Sequence, residues 1–453
     1  MMTTDRAHAP RANIALTLTL SAAAALACFI TACSSSGMTS VTQPAGSQTH
    51  SASPSPSPIK HIVIIDMENR SFDNMFHGFP GADWASTGKM HDGTIVTLQP
   101  LPLTQINDLG HSRKDWIPAY DNGKMDGFDL EKLIPGTNQT PPPPTYPYSY
   151  TDPADIKPYW DLATQYTLAD RMFQSNGGPS YPAHFYLIAA QTDNIFGNPT
   201  HPPWGCDDRS GTKVAYYKPD GTVGYEFPCI DMPTLADLLN TAGISWKSYT
   251  PAVTASFEAY ESINHIRFGP QWSTNFPLNP KILTDPGDGQ LASVSWVIPT
   301  FNESDHPRTK KDTGPSWVAS VVNAIGESPY WSSTAIFLMW DDWGGWYDHV
   351  PPQQLDKFGL GFRVPLLVIS PYSKHGYVSH TQHEFGSVVK FTEETFGLPS
   401  LGQTDARADD LSDCFDFTQS PAPFVPIQSQ LNAKYFLHQP PDTTPVDDDM
   451  GTP

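Results

Sequence analysis

Short apolar runs alternate with amphipathic stretches along most of this chain. Four apolar runs, rich in β-branched and large side chains, predict buried strands at residues 62–65, 293–299, 334–340 and 364–370. Stretches with apolar residues at helical spacing predict helices at residues 181–191, 233–243, 317–325 and 387–396. Strands that alternate with helices predict an α/β fold, with a mainly parallel central sheet covered by helices on both faces.

The first predicted strand ends in polar residues. Asp66, Glu68, Asn69 and Arg70 follow the run at 62–65 directly. In an α/β sheet, ligands bind in the crevice at the carboxyl ends of the strands, so we expect these side chains to face a binding site. Glu68 and Asn69 offer the oxygen donors that suit a divalent metal ion.

A pair of aspartates follows the strand predicted at 334–340. Asp341 and Asp342 lie between tryptophans, although paired aspartates are usually found in solvated turns. Carboxylates in an aromatic setting need a compensating charge. We therefore favour a cation that Asp341 and Asp342 share with Glu68 and Asn69 over a solvated turn.

Ser180 follows two glycines and a proline at the predicted start of the helix at 181–191. The free N–H groups of a helix N-terminus favour a phosphate or sulfate group. Ser180 has two alternative roles, the helix N-cap or a nucleophile activated by a metal ion. The spacing alone favours the N-cap.

Histidines in predicted loops form the last set of candidates. His111, His306, His349 and His380 all lie in loops, and a single loop histidine is most often a surface residue. His306 follows the strand at 293–299, and His349 lies beside the acidic pair, which favours a shared site. Imidazole groups there would hold phosphoryl oxygens or protonate a leaving alkoxide.

The composition restricts the classes of partner. The chain has 453 residues and a net charge of −21. An acidic protein of this kind is not expected to bind nucleic acid through a basic face or to be drawn to anionic lipid surfaces. The expected partner is a small-molecule phosphate ester or a phospholipid head group, with membrane attachment only through an N-terminal lipid.

The N-terminal segment has the features of an export signal. Arg6 and Arg11 precede an apolar run at 14–30, and Cys33 follows small residues. We predict a lipoprotein-type signal peptide at 1–33 with an acylated Cys33, an ordinary secretory signal being the alternative. The predicted organisation continues with a Ser/Pro-rich tether at 34–58, a catalytic domain at 59–438 and a disordered acidic tail at 439–453. The predicted location is periplasmic or cell-surface, or secreted.

Export also affects what we expect of the cysteines, because exported proteins can form disulfides. Cys206 and Cys229 flank a segment rich in turn residues, so we predict a disulfide between them rather than two buried thiols. Cys414 is then left unpaired, and we expect it to be buried.

Three motifs together resemble a known family. They are Glu68-Asn69-Arg70-Ser71 with Asp73, then Gly178-Pro179-Ser180-Tyr181-Pro182, and Asp341-Asp342 followed by Asp348-His349-Val350-Pro351. Residues 59–436 resemble the bacterial phosphoesterase family, which holds phospholipases C and a secreted acid phosphatase.

The resemblance implies an alkaline-phosphatase-like α/β sandwich and a set of site residues. The implied metal ligands are Glu68, Asn69, Asp341, Asp342 and Ser180. The resemblance also makes Ser180 the nucleophile rather than the N-cap, and it places His111, His306 and His349 around the phosphoryl group. Glu384 lies near the place where many members have a histidine, and the resemblance implies that it replaces that histidine in supporting the site residues.

The resemblance also separates the alternatives for activity. Large haemolytic phospholipases of the family carry additional C-terminal β domains and commonly a threonine nucleophile, whereas this chain has serine and ends soon after the catalytic core. We therefore predict an acid-phosphatase-type monoesterase with a phosphoseryl intermediate. A phospholipase C and a catalytically inactive surface lipoprotein are the alternatives. The implied cofactor is one divalent ion: zinc, calcium, magnesium or manganese.

Overall fold

The computed structural model describes residues 57–134, 141–251, 257–309, 311 and 313–440. The strands, in chain order, are β1 (His61–Met67), β2 (Thr87–Lys89), β3 (Ile95–Thr97), β4 (Gln99–Leu101), β5 (Ser149–Thr151), β6 (Thr167–Ala169), β7 (Met172–Phe173), β8 (Val214–Tyr217), β9 (Val223–Glu226), β10 (Trp246–Tyr249), β11 (Val294–Val297), β12 (Thr334–Trp340), β13 (Leu366–Ile369), β14 (Tyr377–Ser379) and β15 (His383–Glu384).

Eleven helices lie in the described residues. They are α1 (Phe72–Phe76), α2 (Arg113–Tyr120), α3 (Lys157–Gln165), α4 (Ser180–Ala189), α5 (Leu235–Ala242), α6 (Asn264–Arg267), α7 (Trp272–Asn275), α8 (Gly314–Gly326), α9 (Phe385–Phe396), α10 (Thr404–Arg407) and α11 (Ala433–Phe436). One packed group contains α3, α8 and α11, and another contains α4, α5, α9 and α10.

Seven strands form the central sheet in the order β10–β11–β1–β12–β13–β6–β14. Neighbouring strands are parallel except at β13, which is antiparallel to both β12 and β6. The predicted α/β fold with a mainly parallel sheet is therefore confirmed, with one reversed strand. All four residues of β13 are buried, and a fully buried apolar run carries no signal of its direction.

The register between β1 and β12 positions the site. The two strands are paired along their whole length, so that Met67 lies opposite Trp340 at their carboxyl ends. The N–H of Asp341 donates to the carbonyl oxygen of Met67 at 2.9 Å and continues the ladder by one residue. The acidic residues that follow each strand therefore leave the sheet side by side.

The sequence predictions for the main elements are confirmed with small shifts at their ends. Strands β1, β11, β12 and β13 and helices α4, α5, α8 and α9 cover the eight segments predicted. A disulfide joins Cys206 to Cys229, as predicted, and Cys414 is a buried free thiol.

Several predictions fall on the termini. The signal peptide at 1–33, Cys33 and most of the tether lie outside the described residues. Of the predicted tail, only Gln439 and Pro440 are described, and the side chain of Gln439 donates to the carbonyl oxygen of Tyr435 at 3.1 Å. Among the described helices, none has the length and apolar character needed to cross a membrane.

Candidate active site

The turns after β1 and β12 bring the two predicted ligand pairs together. Asn69 takes a left-handed backbone conformation (φ 57°), which asparagine tolerates better than most residues. Its N–H donates to Asp341 Oδ1 at 3.1 Å. The N–H of Gly344 donates to Asp342 Oδ1 at 2.7 Å and holds the second turn. Glu68, Asn69, Asp341 and Asp342 are all fully buried.

Ser180 is the first residue of α4, and its hydroxyl group faces these carboxylates. Ser180 Oγ lies 3.1 Å from Asp342 Oδ2 and 3.4 Å from Glu68 Oε2. The N-cap of α4 is Pro179, so the N-cap role that spacing alone favoured for Ser180 is wrong. The helix start directs the Ser180 side chain into the acidic site, while the N–H of Tyr181 donates to Asn198 Oδ1 at 3.0 Å.

His184 lies one turn further along α4 and was missed by the sequence analysis. Its Nε2 lies 3.0 Å from Glu68 Oε1 and 3.4 Å from Asp341 Oδ2. Its Nδ1 lies 2.8 Å from the carbonyl oxygen of Phe257, to which it donates. Residues four apart share a face of a helix, so the spacing from Ser180 to His184 was the available signal.

Burial and mutual repulsion dominate the electrostatics of this cluster. Burial raises the pKa of Asp66 to about 8, against an attraction to His184 that lowers it. Burial and the neighbouring Asp341 raise the pKa of Glu68 well above its ordinary value. Burial alone would lower the pKa of His184, but Asp66 and Glu68 outweigh it and raise that pKa well above the ordinary value. The cluster therefore favours a bound positive charge.

His111 and His306 lie next to each other beside this cluster. His111 Nδ1 lies 2.8 Å from the carbonyl oxygen of Leu109, and His111 Nε2 lies 3.0 Å from Asn69 Nδ2. The tautomer with a proton on Nδ1 satisfies both contacts. The centroids of the two imidazole rings are 6.4 Å apart. His306 Nε2 is buried without a hydrogen-bond partner among the residues the structure covers. The two histidines are thus adjacent, and their role at the phosphoryl group stays a prediction.

His349 belongs to a different group of charges. Its Nδ1 lies 2.6 Å from Asp73 Oδ2, and its Nε2 lies 3.2 Å from Asp83 Oδ1. Arg363 forms a second ion pair with Asp73 and holds Asp348 at 2.9 Å. Burial lowers the pKa of His349, but Asp73 raises it by more. The contacts of His349 are thus with this network, and its role at the phosphoryl group stays a prediction.

Glu384 is connected to the candidate site through the loop that precedes Ser180. Ser175 Oγ donates to Glu384 Oε2 at 2.9 Å, and Arg407 Nε donates to Glu384 Oε1 at 2.8 Å. Ser175 lies five residues before Ser180. A supporting role for Glu384, which would hold the loop before Ser180, is consistent with this geometry and stays a prediction.

The residues present fit a divalent metal ion. Asn69 Oδ1 is buried without a hydrogen-bond donor in the described part of the chain. Ligand atoms of Glu68, His184 and Asp341 lie within 4.8 Å of one another. Buried oxygens without donors are costly in a folded protein, and a cation among them would compensate for that cost. Mostly oxygen donors with one imidazole nitrogen are compatible with zinc, manganese or magnesium.

An α/β sheet with clustered acids and a serine at the carboxyl ends of its strands is an architecture suited to hydrolytic enzymes. The model of the Phosphoesterase family matches residues 59–399, and the chain therefore belongs to this family. It is a hydrolase that acts on phosphoric ester bonds.

The chain is similar to curated and solved proteins over most of its length. It is 28% identical to phospholipase C B of Mycobacterium tuberculosis, over 81% of this chain and 80% of the relative. It is 27% identical to non-specific phospholipase C1 of Arabidopsis thaliana, over 80% of this chain and 72% of the relative. A solved protein of the alkaline phosphatase superfamily from Vibrio parahaemolyticus has a TM-score of 0.35 and 10% identity, over 79% of this chain and 73% of that one.

Proposed function

We propose that this chain is a metal-dependent phosphoesterase in which Ser180 is the nucleophile. The observation that supports this proposal is the position of Ser180 Oγ, which is buried at the start of α4 between Glu68 Oε2 and Asp342 Oδ2. A serine that only stabilised its helix would direct its hydroxyl to a backbone N–H group instead.

The reaction is in-line displacement at phosphorus. Ser180 Oγ attacks phosphorus as its proton passes to Asp342 Oδ2, 3.1 Å away, the bond to the leaving oxygen breaks, and a phosphoseryl group forms. His306 is the candidate to donate a proton to the leaving oxygen, since its buried Nε2 has no hydrogen-bond partner among the described residues, whereas His111 Nε2 accepts from Asn69 Nδ2 and fixes that side chain. Water then hydrolyses the phosphoseryl group and restores the hydroxyl.

The cation would be held by Glu68, Asn69, Asp341 and Asp342. When bound, such an ion lowers the pKa of a nearby hydroxyl group and offsets negative charge on the phosphoryl group. The bound charge would counter the burial that raises the pKa of Glu68.

Two substrate classes compete. The sequence favours phosphate monoesters, since the chain has a serine nucleophile and resembles the acid phosphatase branch. The two curated relatives carry phospholipase C names and match this chain over 80% and 72% of their own lengths. That similarity favours phosphodiesters of phospholipid head groups as the second candidate.

The Ser180→Ala variant tests the nucleophile. We expect kcat on nitrophenyl phosphate or nitrophenyl phosphorylcholine to fall by about 10³-fold or more, because the covalent step is lost. Ser320→Ala is the matched control, since Ser320 is a buried helical serine on α8 whose hydroxyl donates to Ser316 O. Mass spectrometry of quenched wild-type enzyme should show a phosphate on Ser180. Turnover by S180A within tenfold of wild type would exclude Ser180 as the nucleophile.

The ratio of kcat/KM for the two substrates decides the substrate class. A monoesterase hydrolyses nitrophenyl phosphate at the higher kcat/KM, and a phospholipase C hydrolyses nitrophenyl phosphorylcholine at the higher kcat/KM. Activity after chelation and after the return of single metal ions identifies the ion that the site uses. The Cys206–Cys229 disulfide supports the further proposal that the protein is exported.

A further inference from the structure

We infer that the chain has a second metal site, distinct from the one beside Ser180, formed by His383, Asp413 and Cys414 and suited to a thiophilic divalent ion such as zinc. A ring nitrogen of His383, a carboxylate oxygen of Asp413 and the Cys414 sulfur lie within 4.8 Å of one another. Zinc binds each of these three donor types in proteins.

The distances between the donor atoms fit tetrahedral coordination. His383 Nε2 lies 3.6 Å from Asp413 Oδ1, and Cys414 Sγ lies 3.5 Å from the same oxygen. Ligands bound to zinc at about 2.0–2.3 Å in a tetrahedron are roughly 3.3–3.8 Å from each other. Two of the three separations therefore match neighbouring corners of such a site, and the third pair, His383 and Cys414, lies within 4.8 Å. A water molecule or Ser379 Oγ can supply the fourth ligand.

The surrounding residues orient each donor. Asp413 Oδ2 accepts hydrogen bonds from Ser379 Oγ and from Thr381 Oγ1, which leaves Oδ1 facing His383 and Cys414. His383 Nδ1 lies 2.8 Å from Asp409 Oδ1. A carboxylate behind a metal-binding histidine is the usual arrangement in zinc proteins, because it fixes the ring and directs the other nitrogen to the ion.

The donors also stand on an ordered framework. The carbonyl oxygen of Cys414 accepts hydrogen bonds from the N–H of Lys374 at 2.9 Å and from Thr167 Oγ1 at 3.1 Å. His383 is part of β15, which pairs with β7. His383 and Cys414 are fully buried, while the side chains of Asp409 and Asp413 are 29% and 25% exposed, so an ion has a route from solvent.

This site is separate from the candidate active site. Strand β14 ends at Ser379 and lies three strands from β12 in the sheet, whereas the ligands near Ser180 follow β1 and β12. No cysteine is among the residues assigned to the Ser180 site. A thiolate ligand therefore distinguishes the two sites in a spectrum.

Cobalt binding tests the proposal, because Co²⁺ bound to a thiolate absorbs in the near ultraviolet by charge transfer. The full-length protein, freed of metal by chelation, is titrated with Co²⁺. We expect the thiolate band to reach its maximum by two equivalents, one for each site, and to disappear when zinc is added. The band should persist in Ser180→Ala and Glu68→Gln, whatever those variants do to ester hydrolysis.

Variants of the ligands complete the test. Cys414→Ser should abolish the band, and Asp409→Asn should weaken Co²⁺ binding about 10- to 100-fold through the loss of the orienting carboxylate. His380→Gln is the matched control, since His380 lies in the same segment but pairs with Asp170. If C414S does not fold, Asp409→Asn still decides the result. A wild-type protein without the band, a band that survives in C414S, or unchanged binding in D409N overturns the proposal and leaves only a polar network of His383, Asp409 and Asp413.

Discussion

His184 is a buried histidine that faces three carboxyl groups, those of Asp66, Glu68 and Asp341. Its Nδ1 is held by the carbonyl oxygen of Phe257, so the Nε2 side is directed to the acids. In the absence of a metal ion, a protonated His184 is the counter-charge that the structure provides for this group. The residue thus connects the charge balance of the site to the stability of the protein.

Replacement of His184 by glutamine should destabilise the metal-free protein. We expect a loss of about 3–5 kcal/mol in the free energy of unfolding, because three buried carboxyl groups then lack a cationic partner. Urea unfolding with and without added metal measures the loss. His61→Gln is the control, since His61 also contacts a backbone carbonyl oxygen, that of Ala292. Equal stability of H184Q and wild type would contradict this role.

The raised pKa of Glu258 predicts that the folding stability of the protein depends on pH. Burial raises its pKa from 4.5 to about 7, although Ser248 and the N–H of Tyr260 donate to it and lower the pKa. Because the folded protein holds the proton of the Glu258 carboxyl group more tightly than the unfolded chain does, the contribution of Glu258 to folding stability is fully present below about pH 4.5. It is lost as the pH rises to about 7.

The Glu258→Gln variant should remove this part of the pH dependence. The wild type is expected to lose about 3 kcal/mol more than E258Q in unfolding free energy between pH 4.5 and pH 8. Urea unfolding at the two pH values measures the difference. Glu327→Gln, at an exposed glutamate, should follow the wild type. Identical slopes for E258Q and wild type would exclude Glu258 as a source of the effect.

At the residue scale, the sequence indicated the acidic donors more readily than the histidines. Glu68, Asn69, Asp341 and Asp342 follow apolar strands directly, so their position at the edge of the sheet followed from the local pattern. His184 lies inside an apolar helix in which every residue is buried, and there a histidine resembles a core residue. His349 stands beside the acidic turn in sequence, yet its side chain pairs with Asp73 and Asp83.

At the scale of elements, the turn after β12 depends on glycine. Gly344 has φ +60°, and a Cβ atom there would lie 2.3 Å from the carbonyl oxygen of Asn69. The N–H of Gly344 also holds Asp342 Oδ1. A side chain at this position must therefore displace the turn after β1 or the turn after β12, and both carry candidate ligands.

The Gly344→Ala variant should lose far more activity than its loss of folding stability can explain. We expect a fall in kcat/KM of about 100-fold, because a shift near 1 Å in the positioning residues has about that effect. Gly397→Ala is the matched control, since Gly397 has φ +65° at the end of α9 and its Cβ would meet nothing within 4 Å. Both variants share the cost of the left-handed backbone. Equal activities for G344A and G397A would contradict the proposed crowding.

The elements found from the sequence are those whose apolar pattern is long and locally bounded. Strand β12 begins and ends where the run of apolar residues does, and α5 ends at Gly243 in a left-handed conformation. Strands β6 and β14 have three residues each and belong to the sheet only through their neighbours. The reversal of β13 depends on chain connections, which the local pattern does not contain.

At the scale of the whole molecule, the disulfide closes a long excursion between α4 and α5. Cys206 and Cys229 are 23 residues apart, and the segment between them includes β8 and β9. The excursion packs back on the start of α4, since Trp204 contacts Tyr181 and the Tyr181 hydroxyl donates to the carbonyl oxygen of Pro228. The disulfide thus restricts the chain next to the candidate nucleophile.

Loss of the disulfide should cost stability more than chemistry. For the double variant Cys206→Ser and Cys229→Ser, we expect a loss of about 3 kcal/mol in unfolding free energy, because a loop of this length is no longer closed in the unfolded chain. Urea unfolding and ester hydrolysis well below the midpoint measure the two effects. A reducing agent should destabilise the wild type to the same extent and leave the variant unchanged; a variant as stable as wild type would contradict the prediction.

The enclosure of the acidic site affects the kinetics of the ion that it would hold. Ser180, Glu68 and Asp342 each have 0% of their surface open to solvent. An ion at that depth leaves only when the surrounding chain opens locally. Its release into a chelator should therefore reach a limiting rate as the chelator concentration rises. That plateau rate would report the opening frequency of the fold, independent of any substrate.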